Sequence, residues 1–245
     1  MIYFGAFRFR WRLVIGAAVI CGLFFGAYRV ASNVILNEAI QSMSWVVANK
    51  VVIVDPGHGG PDGGGVGPSG TEEKEITLQI SKKVARYLSQ AGSAVIMTRE
   101  KDEDLSSEGK SIRERKVEDL ENRVKLANSS KAAAYLSIHT NCFGTRWTGA
   151  QVFYSEKSEE SKALAECIQG EITRILRNTD RKAKTLSPYI LRNLDMPAVI
   201  VEVGFLSNPG EEKLLKDSHY QDKMAYAIYA GTVKYFAGEG EDKDK

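Results

Sequence analysis

Short apolar runs alternate with amphipathic stretches along most of the chain. The runs are rich in β-branched side chains and have the length of buried strands. They lie at Val51–Val54, Ala94–Thr98, Ala134–Ile138, Gln151–Tyr154 and Ala198–Val203. Near-continuous apolar strands separated by helices are typical of a mainly parallel, twisted sheet with helices on both faces. The pattern therefore predicts a single α/β domain, in which Gln151–Tyr154 is an edge strand.

Apolar residues at helical spacing fill the segments between these strands. The first predicted helix runs from about Glu73 to Ala91, and Gly92 ends it. Lys101–Lys116 is highly charged and is interpreted as a solvated loop, and Arg181–Pro188 as a basic loop. The apolar faces of the later helices carry Val117, Leu120, Val124 and Ala127, then Leu164, Cys167, Ile168, Ile172 and Ile175, and, in the second of two C-terminal helices, Met224, Ala227, Ile228 and Tyr235.

The N-terminus has the pattern of an export signal. Arg8, Arg10 and Arg12 precede Leu13–Tyr28, a stretch without any charge. This apolar core is slightly shorter than the roughly 20 residues that a membrane-spanning helix needs. An uncleaved signal-anchor helix and a cleaved signal peptide therefore both stay open. Either one places the α/β domain outside the cytoplasm.

Three regions follow from these patterns. The signal segment and a mildly amphipathic connector, Asn33–Asn49, occupy residues 1–49. The α/β domain, expected to be catalytic, occupies residues 50–237. Residues 238–245 are mostly charged and predict a disordered tail.

Composition and charge narrow the function only slightly. The net charge is +2, and the charges are interspersed rather than gathered in a basic stripe with aromatic residues. Nucleic acid is therefore not an expected partner. Cys21, Cys142 and Cys167 are odd in number and lack CxxC spacing, so the sequence predicts neither a disulfide framework nor a cysteine zinc site.

Polar residues follow or interrupt the predicted strands near their carboxyl ends. They are Asp55, His58, Arg99, His139, Asn141 and Glu202. Ligands of open parallel sheets bind beyond this edge, so these side chains are expected to share one crevice. The chain has 3 histidines, and both His58 and His139 fall at strand ends. This coincidence makes a site at the edge the leading hypothesis.

Two histidines and a carboxylate form a common catalytic zinc set that leaves the fourth position open. Glu73 is the natural third ligand, because it follows a glycine-rich loop that lets the backbone return to His58. Taken singly, each histidine could be an ordinary core or loop residue, and Glu73 a first-turn glutamate that favours the helix dipole. The loop contains neither GxxxxGK[ST] nor GxGxxG at the helix start, so phosphate binding is disfavoured.

Glu202 interrupts the apolar run Ala198–Val203. A carboxylate in a buried strand must be paired, bind a metal or hold a proton, since its desolvation is costly. One hypothesis is a buried ion pair with Arg99 or Arg192. The other is a general base that deprotonates a water molecule beside the metal.

Several motifs resemble those of the zinc-dependent N-acetylmuramoyl-L-alanine amidases (amidase type 3). They are DPGHGG from Asp55, the pair Glu73-Lys74, RVKLAN from Arg123, SIHTN from Ser137 and PAVIVEVGFLSN from Pro197. They occur in order over about Lys50–Phe236, so the likeness covers the whole exported domain. Within the family the chain looks most like the germination-specific members of spore-forming bacteria.

The resemblance implies a specific activity. It implies that His58, Glu73 and His139 hold one Zn²⁺ and that Glu202 is catalytic. The bond cut would be the amide between N-acetylmuramic acid and L-alanine in peptidoglycan. In the spore-specific members this step prepares cortex glycan for muramic-δ-lactam formation, with a polysaccharide deacetylase acting on the same glycan. Action at the spore cortex, with the N-terminal segment at the membrane, would follow.

Further roles for four residues, and an alternative function, stay open beside this hypothesis. Asp55 is a possible hydrogen-bond acceptor for a ligand histidine, and Arg99 and Asn141 are possible supporting or substrate contacts. Cys142 is interpreted as a small buried apolar residue, rather than as a thiol that inhibits the zinc site or becomes oxidised. A peptidoglycan-binding protein without turnover, or another zinc hydrolase such as a carboxypeptidase or deacetylase, is the alternative function.

Overall fold

The structure, a computed structural model, describes residues 11–238. Arg8, Arg10 and the predicted tail beyond residue 238 lie outside the described residues. The chain divides into two compact units, Met1–Ser42 and Met43–Lys245.

A single long helix, α1 (Trp11–Met43), forms the described part of the N-terminal unit. The predicted connector is therefore not a separate element, because the helix continues through Asn33 to Met43 and a 3₁₀ turn follows at Ser44–Val47. Val14–Val47, 34 residues long, contains the one described helix that is long and apolar enough to cross a membrane. Length and composition support a signal peptide equally, since the helix lies near the N-terminus.

The second unit is built on a six-stranded sheet with the order β2-β1-β3-β6-β4-β5. Its strands are β1 (Val51–Pro56), β2 (Ala94–Met97), β3 (Ala134–Asn141), β4 (Gln151–Tyr154), β5 (Lys184–Thr185) and β6 (Ala198–Phe205). The pairs β1–β2, β1–β3 and β3–β6 are parallel, and β4 is antiparallel to β6. The mainly parallel sheet is thus confirmed. The prediction that β4 is an edge strand was wrong, because β5 forms inside the supposed basic loop and pairs with the outer edge of β4.

Helices cover both faces of this sheet, as predicted. They are α2 (Glu73–Gln90), α3 (Ile112–Ser129), α4 (Glu159–Leu176), α5 (Tyr189–Asn193), α6 (Pro209–Lys216) and α7 (Ser218–Phe236). On one face α2 packs on β1 and β3, and α7 packs on α2 and α4. On the other face, α3 and α5 close a hydrophobic cluster of Ile53, Val124, Ala127, Ala132, Tyr135, Ile190, Leu191, Ala198 and Ile200.

Helix α3 departs from its predicted start and from its predicted face. It begins at Ile112, inside the supposed loop, because Ser111 and Glu114 form a capping box. Val117 and Leu120, expected on the apolar face, are exposed. The buried face instead includes Asp119 and Arg123, which bond to each other and point toward the end of β1. Because this buried face contains an ion pair, the periodicity of apolar residues does not predict it.

The charged segment before α3 is packed rather than simply solvated. Arg115 donates to Asp104 at 2.7 Å, and the backbone nitrogen of Leu105 donates to Asp119 at 2.8 Å. Asp102 accepts from the backbone nitrogen of Gly60 at 2.8 Å and from Lys74 at 2.9 Å. These bonds fix the segment against the glycine-rich loop that follows β1.

Candidate metal centre

The site forms at the carboxyl ends of β1, β3 and β6. Strand pairing makes His139 and Glu202 partners across β3 and β6. Side chains two residues apart on a strand share a face, so both lie on the face that α3 and α5 cover further down the sheet. The alternation that buries Tyr135 and Ile200 therefore also delivers His139 and Glu202 to one crevice.

His58 enters the same crevice from the loop after β1. Its backbone has a left-handed φ of 61°, which turns the chain at once beyond the strand. Arg99 supports this turn from behind, where it donates to the carbonyl oxygens of Pro56 at 3.1 Å and Gly57 at 3.0 Å. Arg99 is only 2% exposed, so the geometry favours its supporting role over a substrate contact.

Glu73, at the start of α2, lies between the two histidines. Its Oε2 is 3.2 Å from Nε2 of His58, and its Oε1 is 3.1 Å from Nδ1 of His139. Backbone nitrogens hold the carboxylate, with Thr140 donating to Oε1 at 2.8 Å and Gly65 to Oε2 at 2.9 Å. One ligand atom from each of these three side chains lies within 4.8 Å of the others. Two imidazoles and a carboxylate at this spacing could hold one zinc ion.

Glycines let these side chains approach each other. A Cβ atom at Gly57 would lie 2.3 Å from Cε1 of His139. Gly64 has a φ of +71°, and a Cβ there would lie 2.7 Å from both Glu73 Oε2 and His58 Cδ2. Any side chain at Gly64 would therefore push two of the three candidate ligands apart.

We expect Gly64→Ala to weaken zinc binding by about 10- to 100-fold, because it displaces His58 and Glu73. A competition titration against a chromogenic chelator measures the affinity. Gly70→Ala is the matched control, since Gly70 also has a positive φ (+84°) but nothing within 4 Å of its added Cβ. Equal losses in the two variants would show that backbone strain, not the contact with the ligands, causes the effect.

Asp62, which the sequence analysis missed, is the carboxylate that orients His58. Its Oδ2 is 2.9 Å from Nδ1 of His58, and its Oδ1 is 2.8 Å from Nζ of Lys116. Burial lowers the pKa of His58, but hydrogen bonds to Asp62 and Glu73 raise it to about 9. Burial raises the pKa of Glu73, but His139 and His58 bring it well below its usual value. A metal ion that enters the site must therefore displace a proton from His58.

Asp55 does not contact a ligand histidine, contrary to the prediction. It accepts hydrogen bonds from Arg123, from Thr98 at 2.6 Å and from Ser137 at 2.6 Å. Arg123 also donates to the carbonyl oxygen of His58 at 2.8 Å. Burial raises the pKa of Asp55, but the charge of Arg123 and these hydrogen bonds lower it to about 2. The pair thus anchors α3 to the backbone that carries His58.

We expect Arg123→Met to lower the free energy of unfolding by about 3–5 kcal/mol, since it leaves the Asp55 carboxylate buried without its partner. Because the pKa of Asp55 is depressed, the stabilisation is complete above its ordinary value of 3.8 and is lost as the pH falls through about 2. Urea unfolding at several pH values measures this. Arg86→Met is the control, because the Arg86–Asp222 pair is exposed and is worth less than about 1 kcal/mol.

Glu202, the strand partner of His139, forms no ion pair within the described residues. Its Oε2 is buried and has no hydrogen-bond partner among the described residues. Among the described residues Glu202 forms neither of the ion pairs considered from the sequence. Arg99 contacts backbone oxygens, and Arg192 donates to the carbonyl oxygen of Ser187 at 2.8 Å. Burial raises the pKa of Glu202 to about 7, while the charge of His139 lowers it. A proton acceptor with this pKa suits general acid–base chemistry near neutral pH.

Asn141 and Cys142 follow His139 where β3 ends. Asn141 is half-buried at the end of β3, where it pairs with Phe205 of β6. Cys142 is exposed, so its interpretation as a buried residue was wrong. The physical reason is its place directly after β3, where the chain leaves the sheet and packs over Gly65.

Comparison with known proteins points to one family. The sequence profile described as "N-acetylmuramoyl-L-alanine amidase" matches residues 52–234. The germination-specific N-acetylmuramoyl-L-alanine amidase of Bacillus subtilis is 47% identical over 208 residues, covering 84% of this chain and 87% of that protein.

Solved structures agree with this match. The CwlD amidase from Clostridioides difficile, solved in complex with the GerS lipoprotein, is 40% identical with a TM-score of 0.76, covering 78% of this chain and 100% of that one. An N-acetylmuramoyl-L-alanine amidase from Clostridium difficile 630 is 34% identical with a TM-score of 0.70, covering 78% and 98%. The chain therefore belongs to the N-acetylmuramoyl-L-alanine amidase family.

Proposed function

We propose that the protein hydrolyses the amide bond between N-acetylmuramic acid and L-alanine with one zinc ion bound by His58, Glu73 and His139. The observation that carries this proposal is the convergence of two imidazoles and a carboxylate within 4.8 Å, beside Glu202, whose buried Oε2 has no hydrogen-bond partner within the described residues. As a cell-wall amidase, the enzyme acts on peptidoglycan outside the cytoplasm.

The residues of the crevice divide the chemistry between them. A zinc ion held by His58, Glu73 and His139 would supply Lewis-acid chemistry toward the scissile carbonyl and the attacking water. Glu202 accepts the proton of the attacking water and returns it to the alanine nitrogen as the C–N bond breaks. Without metal, burial raises the pKa of Glu202 to about 7, and a cation bound beside it would lower this pKa, which would favour the ionised carboxylate that accepts the proton.

Asp62 and Arg99 prepare this arrangement without taking part in proton transfer. Asp62 fixes Nδ1 of His58, so that Nε2 faces Glu73 and the metal position. Arg99 holds the carbonyl oxygens on either side of the β1 turn. Asn141, half-buried two residues after His139, is a candidate substrate contact.

We assign the enzyme to the spore cortex, where removal of stem peptides would precede δ-lactam formation by a deacetylase. This assignment rests on the similarity to the germination-specific amidase of Bacillus subtilis. The apolar helix α1 would either anchor the enzyme in the membrane or serve as a signal peptide that is removed. The proposed divisions of the chain are residues 1–49, 50–237 and 238–245.

The test uses the detergent-solubilised full chain on purified peptidoglycan, with and without a zinc chelator. Mass spectrometry identifies the products. An amidase releases intact stem peptides that begin with L-alanine and leaves glycan strands uncut, and the chelator stops this release. Free D-alanine would indicate a carboxypeptidase, acetate a deacetylase, and binding without any product a protein without turnover.

A further inference from the structure

The loop that joins β3 to β4 is held in a fixed position beside the crevice. Asn208, in the turn after β6, donates to the carbonyl oxygens of Thr145 at 2.9 Å and Trp147 at 3.2 Å. Ser207 donates to the carbonyl oxygen of Gly144. The same turn that follows Glu202 therefore fixes the loop that follows His139.

This loop carries an aromatic ring flanked by two guanidinium groups. The guanidinium carbon of Arg146 lies 5.2 Å from the ring centroid of Trp147, and that of Arg181 lies 5.9 Å from it. Arg181 also lies 5.2 Å from the ring of Phe205. Stacking on aromatic rings restricts the orientation of a guanidinium. Nε and Nη2 of Arg181 donate to the carbonyl oxygen of Thr148 at 3.4 and 3.3 Å, which fixes this side chain further and leaves its Nη1 for a ligand. We call Arg146, Trp147 and Arg181 the arginine platform.

The topology places the arginine platform at the same edge of the sheet as the candidate metal centre. Both β4 and β5 run opposite to β6, so residues just before them lie beyond the carboxyl end of β6. Gln151, the first residue of β4, is the pairing partner of Glu202. The side chain of Gln151 donates to the carbonyl oxygen of Lys182 at 2.9 Å. The segment that carries Arg181 thus passes one strand away from Glu202.

The basic residues on the two sides of the crevice differ in whether carboxylates neutralise them. On the side of α3, Lys116 pairs with Asp62 and Arg115 pairs with Asp104. On the side of β4 and β5, Arg181 donates only to a backbone oxygen, and no ion pair of Arg146, Arg181, Lys182 or Lys184 with a carboxylate is present within the described residues. Guanidiniums that are held in place and have no ion-pair partner favour a carboxylate as their ligand.

We propose that the arginine platform binds a carboxylate of the stem peptide and so holds the peptide side of the scissile amide next to Glu202. This inference rests on the proposed function for the identity of the substrate. It predicts that the site discriminates a free carboxyl group from a carboxamide on the residue that follows L-alanine. A carboxamide cannot replace an ion pair with arginine, because it is neutral and presents only one acceptor oxygen.

The test measures binding to the zinc-loaded full chain with Glu202→Gln, so that turnover is not required. The probes are N-acetylmuramoyl-L-alanyl-D-glutamate and N-acetylmuramoyl-L-alanyl-D-isoglutamine, which differ by one carboxyl group. We expect the first to bind at least about tenfold more tightly, as for a hydrogen bond between charged groups. Adding Arg146→Ala and Arg181→Ala should remove this difference.

Two further variants separate the platform from general charge and from loss of fold. Lys157→Ala also removes a cation, but Lys157 follows the antiparallel β4 at the opposite edge of the sheet, so the discrimination should persist. Arg181→Lys keeps the charge without the planar fork, and we expect it to recover only part of the discrimination. Zinc content of each variant verifies that the neighbouring centre is intact.

Equal affinity for the two probes in the parent chain would overturn the inference. Unchanged discrimination between the probes in the arginine variants would also overturn it. If these variants lost affinity for an acidic protein instead, the arginine platform would be a protein-docking surface. Cleavage of the same probes by the wild-type chain is scored separately. Discrimination in binding without cleavage would count against the proposed function and leave the arginine platform supported.

Discussion

Replacing Glu202 with glutamine is expected to lower kcat by about 10²–10⁴-fold, the contribution typical of a positioned general acid–base group. Glutamine has nearly the same shape but cannot accept the proton of the attacking water. Glu202 contributes no described hydrogen bond to the metal cluster, so zinc binding should persist. Release of stem peptides from peptidoglycan, followed together with zinc content, gives both values.

The same substitution should stabilise the metal-free protein above neutral pH. Burial raises the pKa of Glu202 from 4.5 to about 7, so the unfolded chain ionises first as the pH rises. Stability is therefore lost between pH 4.5 and about 7, and Glu202→Gln removes that loss. Urea midpoints at pH 4 and pH 8, with a chelator present, test the sign. An enzyme that retains full activity as Glu202→Gln would remove this residue from the mechanism.

Loss of a candidate zinc ligand should have the largest effect on activity. We expect His139→Ala to lower kcat/KM at least about 10³-fold, because a Lewis acid at the carbonyl is worth several kcal/mol. It should also abolish the stabilisation by zinc, about 4 kcal/mol at a free zinc concentration 1,000 times Kd. Thermal unfolding with and without zinc, alongside the peptide-release assay, measures both changes.

His219→Ala is the matched control for this prediction. His219 is the remaining histidine of the chain, exposed in the first turn of α7. Its loss should leave zinc content, zinc-dependent stabilisation and activity unchanged. If His139→Ala kept one zinc per chain at wild-type affinity, the three-ligand assignment would have to be abandoned.

The elements that could be predicted are those in which the type of each residue indicates whether its side chain is buried. Buried parallel strands are apolar throughout, so Val51–Val54 and Ala198–Val203 stand out in the sequence. The convergence of His58, Glu73 and His139 could be predicted as well, because parallel strands end at one edge and glycines permit the return of the chain.

The remainder depends on contacts between distant segments. Asp55 takes Arg123, 68 residues away, as its partner instead of a nearby histidine. That buried pair also gives α3 a polar inner face, which apolar periodicity cannot reveal. Strand β5 has only 2 residues, Lys184–Thr185, which are too few to show an alternation of apolar and polar side chains. Asp62 could have been suspected, because a carboxylate four residues after a loop histidine is within reach of its ring.

X-ray absorption at the zinc edge of the zinc-loaded full chain tests the central claim most directly. The account predicts one zinc ion with two imidazole nitrogens at about 2.0–2.1 Å and only oxygen otherwise, at about 2.0–2.2 Å. His139→Ala should remove one imidazole from this shell. A sulfur ligand at about 2.3 Å, which would bring in Cys142, or amidase activity in a chain without zinc, would contradict it.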